Sequence, residues 1–413
     1  MKTRIQRLAV WGAAAALLTA GAALPLTGAS AEDTRTEAQL AAAATAAREK
    51  IFGADWANPD NVQVKWVAIT TYIANFGGRI VLLDSTIMDN LQGSNQTPYI
   101  SLDEVIDAKP EAILQNHTHL DQMRHASRIA AITGAQLVTT AGGCLFAKRD
   151  AIQRGFKESA VNCNYVRDSS GRVFTGLDTY ALPISGEPLV TPFGTVGKPE
   201  SPIPGLDITV VNIKHSQIRP YPDDLTYPYV GADPSPLVDD TPSPEQLADF
   251  GLTQDFDNGN LLFMVGYKGF NVVHHGSSGS LNPIEPGQAE IREGLRALSL
   301  KERPDVELGG IQELTYTNGF VEARRYAEEI GAKLYIPLHH GNWLPPITAE
   351  ARSYYDGWLA EMQRTTASVF PKLCFVVEEN MATAFTFNVK KWAGDKTGPF
   401  EAIGGPGCYT GSG

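Results

Sequence analysis

The sequence predicts an α/β protein built as a four-layer α/β/β/α sandwich of two mixed β-sheets. Short apolar or alternating segments bounded by Gly, Pro and Asn occur in both halves of the chain. Segments with helical periodicity come late in each half. No internal repeat or low-complexity linker divides the chain. Two groups of strands, each followed by helices, favour two sheets packed face to face with helices on the outside.

The first half supplies one sheet and its helices. An alanine-rich stretch at 37–51 predicts a lead-in helix within an N-terminal segment, 32–60. Strands are predicted across 62–83, with a hairpin turn at Gly77-Gly78, because Gly-Gly favours tight turns. A short strand at 111–115, a helix at 122–133 ended by Gly134, and a strand at 136–139 follow.

The second half repeats this arrangement with two irregular insertions. Residues 141–205 and 219–258 are rich in Gly, Pro, Ser and Asp, which predicts long loops with a few short strands. Further strands are predicted at 206–213, 261–265, 270–273, 306–308 and 334–337, and helices at 288–298, 320–330 and 349–364. The main domain therefore covers 61–392, and 393–413 forms a tail.

The N-terminus has the pattern of a secretory leader. Lys2, Arg4 and Arg7 precede an apolar stretch, and small residues end it at Ala31. We expect a Sec-type signal peptide, 1–31, cleaved after Ala31, and a secreted protein with no membrane anchor. The chain carries a net charge of −12, which the loss of a basic leader makes more negative. Such an acidic protein is a poor partner for nucleic acid.

Four cysteines in an exported chain suggest two disulfides. Three pairings are open, and the local one is favoured because each bridge closes a short segment. That pairing joins Cys144 to Cys163 and Cys374 to Cys408. A thiolate metal site is the alternative, but no C-x-x-C spacing supports it.

The residues with the clearest chemistry are His117, His119 and Asp121. Zinc sites are built from imidazoles and carboxylates on a rigid frame. The two histidines follow a predicted strand, where a spacing of two residues directs both side chains to the same side. Asp121 continues that side as the chain turns into a helix. A lone H-x-H is weak evidence, and the strand–H-x-H-x-D–helix context strengthens it.

The stretch His117-Thr118-His119-Leu120-Asp121-Gln122 resembles the H-x-H-x-D-H motif of the metallo-β-lactamase superfamily of hydrolases. The branch that includes L-ascorbate-6-phosphate lactonase is the most similar in style, from about Trp66 to Gly341. The resemblance implies two further metal-binding histidines, His215 and His339, each after a later strand. It also implies that Asp84 supports the ligands from behind.

Two positions depart from the family pattern. Gln122 replaces the last histidine of the motif, a ligand of the second metal. Gly276-Ser277-Ser278-Gly279 aligns with the family's Gly-Asp-Thr-Gly turn, so a serine replaces the carboxylate that bridges both metals. The resemblance therefore implies an intact first site on His117, His119 and His215. The second site keeps Asp121 and His339, and one zinc ion is expected.

Two other histidines lie near these positions in the sequence. His275 precedes Ser277 by two residues, and strand alternation predicts that it faces the site, either as a replacement nitrogen ligand or as a hydrogen-bonded pocket residue. His274 is then expected in packing on the opposite face. The resemblance implies that His340 forms a wall of the pocket and transfers protons.

The function that follows is a secreted zinc-dependent hydrolase. Zinc lowers the pKa of a bound water, and Asp121 is expected to orient that water and accept its proton. A lactone, ester, amide or phosphoester small molecule suits this chemistry. Two alternatives stay open: a non-catalytic ligand-binding or scaffolding protein on the same fold, and a serine hydrolase using the 276–279 turn, which lacks the G-x-S-x-G pattern. Substrate and oligomeric state are not predicted.

Overall fold

Two β-sheets lie face to face in the computed structural model, which describes residues 35–87, 99–118, 120–166, 205–213, 260–279, 281, 288–301, 303–311, 319–341, 350–392 and 407–411. The predicted leader, 1–31, lies outside these residues. So do the insertion at 219–258 and most of the other insertion and of the tail. No helix within the described residues has the length and apolar character needed to cross a bilayer.

The first sheet contains seven strands among the described residues, in the order β13-β1-β2-β3-β4-β5-β6. The first three strands form antiparallel hairpins, and β3 to β6 run parallel. The strands are β1 (Asn61–Ala68), β2 (Thr71–Phe76), β3 (Arg79–Leu83), β4 (Ala112–Leu114), β5 (Gln136–Thr139), β6 (Cys163–Tyr165) and β13 (Phe385–Asn388).

Helices cover the outer face of this sheet, packed through apolar side chains on helices and strands alike. They are α1 (Glu37–Phe52), α2 (Leu102–Asp107), α3 (Leu120–Met123), α4 (Ala126–Thr133) and α5 (Ala141–Gln153). The lead-in helix is confirmed, and its first turn is closed by a capping box between Thr36 and Gln39. Gly134 ends α4 in the left-handed conformation, with φ 75°.

The second sheet contains six strands among the described residues, in the order β12-β11-β10-β9-β8-β7. Its strands are β7 (Asp207–Ile213), β8 (Asn260–Tyr267), β9 (Phe270–His275), β10 (Val306–Gly310), β11 (Leu334–Leu338) and β12 (Lys372–Leu373). Strands β9 to β12 run parallel, so their carboxyl ends meet at one edge. Helices α6 (Gln288–Lys301), α7 (Gly319–Ile330) and α8 (Arg352–Met362) pack on the outer face, and α9 (Val389–Trp392) follows β13.

The main core lies between the two sheets. Alternate residues of β1 (Val62, Val64 and Trp66) face the second sheet, and Val210, Phe263 and other apolar side chains meet them from that side. Because residues two apart on a strand share a face, this alternation buries one face of each sheet in a shared layer. The predicted four-layer α/β/β/α sandwich of two mixed sheets is confirmed.

One segment predicted as loop is helical. Residues 141–153 form α5, so the expectation of long loops with short strands across 141–205 is wrong there. The Thr140 hydroxyl caps the helix by accepting from the Gly143 amide. A Cβ at Gly143 would lie 2.6 Å from the Thr139 hydroxyl oxygen, so the close approach of helix and strand requires glycine.

Both predicted disulfides are present. Cys144 on α5 is bonded to Cys163 on β6, and Cys374, after β12, is bonded to Cys408. The second bridge holds residues 407–411 against the second sheet, where Tyr409 pairs with Phe375 in an isolated β-bridge. The local pairing is confirmed, and no cysteine is left for the alternative thiolate metal site.

Candidate functional site

The candidate site lies where strands of both sheets end. His117 follows β4 of the first sheet, and His339 follows β11 of the second. Backbone hydrogen bonds join the sheets at this edge: the His339 amide donates to the Ile69 carbonyl (2.8 Å) and the Leu261 amide donates to the Asn116 carbonyl (3.0 Å). These bonds bring residues separated by 218 positions in the sequence into contact.

Three side chains meet at this edge and are called here the Asp121 cluster: Asp121, Gln122 and His339. Asp121 Oδ2 lies 3.0 Å from His339 Nε2 and 2.8 Å from Gln122 Nε2. Gln122 Nε2 lies 3.4 Å from His339 Nε2, which closes a triangle. The Asp121 side chain is 18% exposed, whereas that of His339 is 1% exposed. The carboxylate is therefore the member of the cluster that faces solvent.

His117 is fully buried, and its loop is fixed by a buried polar group. The Gln115 carboxamide donates to the His117 carbonyl (2.9 Å) and to Asp84 Oδ1 (3.0 Å). The same Asp84 oxygen accepts from the Asn116 amide (2.8 Å). Burial raises the pKa of Asp84 well above its usual value. The contacts of Asp84 agree with the supporting position that the resemblance implied.

The turn at 276–279 packs against Asp84 from the second sheet. The Gly276 amide donates to Asn116 Oδ1 (2.9 Å). A Cβ on Gly276 would lie 2.8 Å from Asp84 Oδ2, so this approach requires glycine. The Ser277 carbonyl accepts from the Asn260 carboxamide (3.1 Å). The turn thus contributes close backbone packing at this edge.

The predicted faces of His274 and His275 are reversed. His274 points towards the first sheet, with Nε2 2.8 Å from the Thr70 carbonyl oxygen. His275 points to the outer side, where its ring stacks on Tyr326 of α7 at 5.1 Å. Its Nε2 lies 3.0 Å from Glu307 Oε1, and its Nδ1 lies 3.2 Å from Ser278 Oγ. With both ring nitrogens engaged there, His275 is not placed as the replacement metal ligand.

His340 also differs from its expected role. Its ring stacks on Phe375 at 4.8 Å and meets Trp66 edge-on at 4.8 Å. Nε2 lies 3.1 Å from the Pro337 carbonyl, so it donates to that oxygen. Burial lowers the pKa of His340 to about 3. A proton-transfer group needs access to the reaction and a pKa near the working pH. The enclosed, neutral ring of His340 is a packing residue.

The remaining expected ligands, His119 and His215, lie outside the described residues, and their roles stay predictions. Among the residues that the structure describes, no three His, Cys, Asp or Glu side chains form a group able to hold a metal ion. Of the three histidines expected at the first site, the described residues include His117, which offers a buried imidazole. Asp121, expected at the second site, offers a carboxylate that is already oriented. Both are common zinc ligands.

Sequence reasoning missed the amide side chains that organise this edge. Gln115 and Asn116 are both fully buried, directly after an apolar strand. Buried amides require hydrogen-bond partners, and these two find Asp84, Leu261 and Gly276. The signal was present in the sequence as two adjacent amides between the strand residue Leu114 and His117. Pattern reasoning centred on histidines gave them no role.

Comparison with known proteins gives partial matches. No protein-family model matches the chain. A curated UPF0173 metal-dependent hydrolase from Pyrobaculum arsenaticum is 27% identical over 144 residues, which are 33% of this chain. The chain spans only 59% of the length of that relative.

Two solved structures are similar over most of the chain. A novel metallo hydrolase from the archaeon Ignicoccus hospitalis has 15% identity and a TM-score of 0.45, covering 79% of this chain and 98% of its own. The metallo-β-lactamase fold protein YhfI from Bacillus subtilis has 12% identity and a TM-score of 0.41, with the same coverage.

The layer arrangement and the curated relative both agree with the resemblance that the sequence motif indicated. Two mixed sheets pack face to face with helices outside, and His117 and Asp121 lie at the edge where both sheets end. The likeness to the L-ascorbate-6-phosphate lactonase branch receives no specific support from these comparisons. The observed four-layer arrangement of two mixed sheets is the one that the resemblance implied, and the curated relative supports that resemblance at the level of a metal-dependent hydrolase.

Proposed function

We propose that this protein is a secreted, zinc-dependent hydrolase of a small-molecule substrate. One observation carries the proposal: Asp121 presents a partly exposed carboxylate whose Oδ2 is fixed by two groups behind it, Gln122 and His339. A carboxylate held in one position at a solvent-facing edge suits a general base. The curated metal-dependent hydrolase that resembles part of the chain supports the same class of reaction.

The metal would be held by His117, His119 and His215, the three histidines of the first site. When bound, a zinc ion supplies Lewis-acid activation of water and of a substrate oxygen. His117 is suited to this role because its loop is fixed by Gln115 and Asp84, which limits movement of the ligand.

The protein's own contribution to the reaction centres on Asp121. Its Oδ2 accepts from the Gln122 carboxamide and lies against His339, so rotation of the carboxylate is restrained. An oriented carboxylate accepts a proton from water without first having to change its rotamer. Hydrolysis of a lactone, ester, amide or phosphoester requires this proton transfer.

Secretion is proposed from the leader and is supported by the cysteines. Each disulfide joins one cysteine to the next cysteine along the sequence. Stable disulfides are typical of exported proteins. Mass spectrometry of protein recovered from the culture medium of an expressing bacterium tests the proposal. A mature chain beginning at Glu32 is expected, and a product that stays inside the cell with Met1 intact would contradict it.

Metal analysis tests the hydrolase proposal most cheaply. Wild-type protein and the His117→Ala variant are each saturated with zinc, freed of excess metal and analysed. We expect bound zinc in the wild type and its loss in the variant. His125→Gln is the matched control, because His125 Nδ1 accepts from the Ile87 amide and a glutamine oxygen can replace that acceptor. Wild-type protein that binds no zinc would overturn the proposal.

A screen of lactone, ester, amide and phosphoester substrates separates an enzyme from the non-catalytic alternative. We expect hydrolysis by the wild type and a loss of about 10²–10⁴-fold in kcat for Asp121→Asn, the range attributed to a general base. A zinc-loaded protein that hydrolyses no member of any class would favour the ligand-binding or scaffolding alternative. Wild-type turnover by Asp121→Asn would remove Asp121 from the mechanism.

A further inference from the structure

Gln122 contacts the two side chains that could clamp a cation at this edge. Two ligand atoms on one zinc ion, each at about 2.0–2.2 Å from it, lie roughly 3 Å apart or somewhat more. Asp121 Oδ2 and His339 Nε2 are 3.0 Å apart, which matches that spacing. The Gln122 amide nitrogen stands 2.8 Å from the first atom and 3.4 Å from the second.

The NH₂ end of the Gln122 carboxamide carries a partial positive charge and lies where a bound metal ion would lie. Its NH₂ carries two donors, and one of them serves the Asp121 carboxylate. A metal ion bound to both clamp atoms on this side would overlap the amide nitrogen. The side chain is also fully buried, so it has little room to move aside.

The opposite orientation of the amide is disfavoured. Turning the carboxamide by half a turn would place Oε1 against the Asp121 carboxylate, and two acceptor oxygens in contact repel. In the observed orientation, Oε1 is buried and has no hydrogen-bond partner among the described residues. The contact with Asp121 therefore keeps the Gln122 amide nitrogen directed towards Asp121 Oδ2 and His339 Nε2.

We infer that the Gln122 carboxamide occupies a cation position between Asp121 and His339, and that residue 122 sets how many metal ions this centre holds. The inference rests on the proposed function, because it concerns the second ion of the same centre. The amide provides a neutral donor for the carboxylate and leaves Asp121 free of metal. Such a carboxylate remains available as a base.

Counting bound metal tests the inference without any substrate. Wild type, Gln122→His and Gln122→Glu are saturated with zinc, freed of excess metal and analysed for zinc per chain. Histidine and glutamate both replace the amide donor with a good zinc ligand. We expect one ion in the wild type and two in each variant. Gln363→His is the matched control, since Gln363 is exposed at the end of α8 and its change should leave the count at one.

Each outcome decides a different point. Two ions in the wild type would overturn the inference and leave the hydrolase proposal standing, whereas none in the wild type would overturn both. One ion in properly folded Gln122→His and Gln122→Glu would also overturn the inference. Circular dichroism and the unfolding midpoint establish that each variant is folded, and Gln122→Glu, the closest in size, decides if Gln122→His does not fold. Cobalt absorbance titration, with saturation at one or two equivalents, gives an independent count.

Discussion

Two histidine–carboxylate pairs in this molecule have the same separation and opposite surroundings. His339 Nε2 lies 3.0 Å from Asp121 Oδ2, and His275 Nε2 lies 3.0 Å from Glu307 Oε1. The Asp121 side chain is 18% exposed, whereas both members of the second pair are fully buried. Distance alone does not identify a functional pair. A candidate site differs from a purely structural pair in its access to solvent and in the partners of its other polar atoms.

The buried pair forms a closed chain of hydrogen bonds. Burial raises the pKa of Glu307 well above its usual value and lowers that of His275 to about 3. Burial therefore favours the neutral form of both groups, and in that form the Glu307 hydroxyl donates to His275 Nε2. Nδ1–H then donates to Ser278 Oγ, and that hydroxyl donates to the Gly310 carbonyl (3.0 Å). The chain ties β9 and β10 to the 276–279 turn.

The largest effect on folding is expected from removing Glu307, the carboxyl group of this series of hydrogen bonds. Glu307→Ala removes the donor to His275 and leaves a cavity, which together should lower the free energy of unfolding by about 3 kcal/mol. Denaturant unfolding with the disulfides intact measures it. Glu307→Gln is the control, since its amide can still hydrogen-bond to His275, and it should cost less. A loss below about 1 kcal/mol for the alanine variant would show that the pair contributes little.

Acid should destabilise the protein through the two buried histidines of β9. Burial lowers the pKa of His274 and of His275 to about 3, from an ordinary value of 6.5. A lowered histidine pKa stabilises the fold above the ordinary value, and that stability is lost as pH falls from about 6.5 towards 3. Each histidine contributes a slope of about 1.4 kcal/mol per pH unit within this window.

Unfolding free energies measured from pH 7 to pH 4 check this expectation. His275→Gln keeps the hydrogen-bonding capacity and removes the titration, so its pH slope should be shallower than that of the wild type. An unchanged slope would mean that His275 is already charged in the folded protein, which contradicts the series of hydrogen bonds between neutral groups.

A smaller effect on folding should follow from removing the serine hydroxyl at the other end of this series of hydrogen bonds. Ser278→Ala removes the hydroxyl that His275 Nδ1 contacts and should cost about 1–2 kcal/mol of unfolding free energy. Ser353→Ala, at an exposed serine of α8, is the matched control and should stay within about 0.5 kcal/mol. Equal losses in the two variants would argue against a proton chain through Ser278.

The smallest effect on folding should come from the partly exposed pair. Asp121→Asn keeps the shape of the side chain, and an amide can still contact Gln122 and His339. We expect its unfolding free energy to stay within about 1 kcal/mol of the wild type, although its kcat should fall by about 10²–10⁴-fold. A loss as large as that of Glu307→Ala would make Asp121 a structural residue and erase the difference between the two pairs.

The sequence predicted the sandwich because strand periodicity and helix ends are local signals. Gly134 at the end of α4 and Gly77-Gly78 between β2 and β3 required no tertiary information. Helix α5 was missed because Gly142 and Gly143 lie in its first turn, and glycine disfavours helices. Its Thr140 cap, its disulfide through Cys144 and its close contact with Thr139 outweigh that preference.

The site was predicted less completely because side-chain environment is not local. Alternation correctly separates His274 from His275, but which one faces the first sheet depends on how β9 packs between that sheet and α7. The aromatic enclosure of His340 is formed by Trp66 and Phe375, both distant in the sequence. The contact of Gln122 with His339 likewise requires the two sheets to meet.

The most direct test of the central claim is the rise in the unfolding midpoint when zinc is added. Zinc that binds the folded protein should raise the midpoint of the wild type. We expect the same rise in Glu307→Gln as in the wild type, and no rise in His117→Ala. An unchanged midpoint in the wild type, or an equal rise in His117→Ala, would contradict a metal centre at the edge that carries Asp121 and His339.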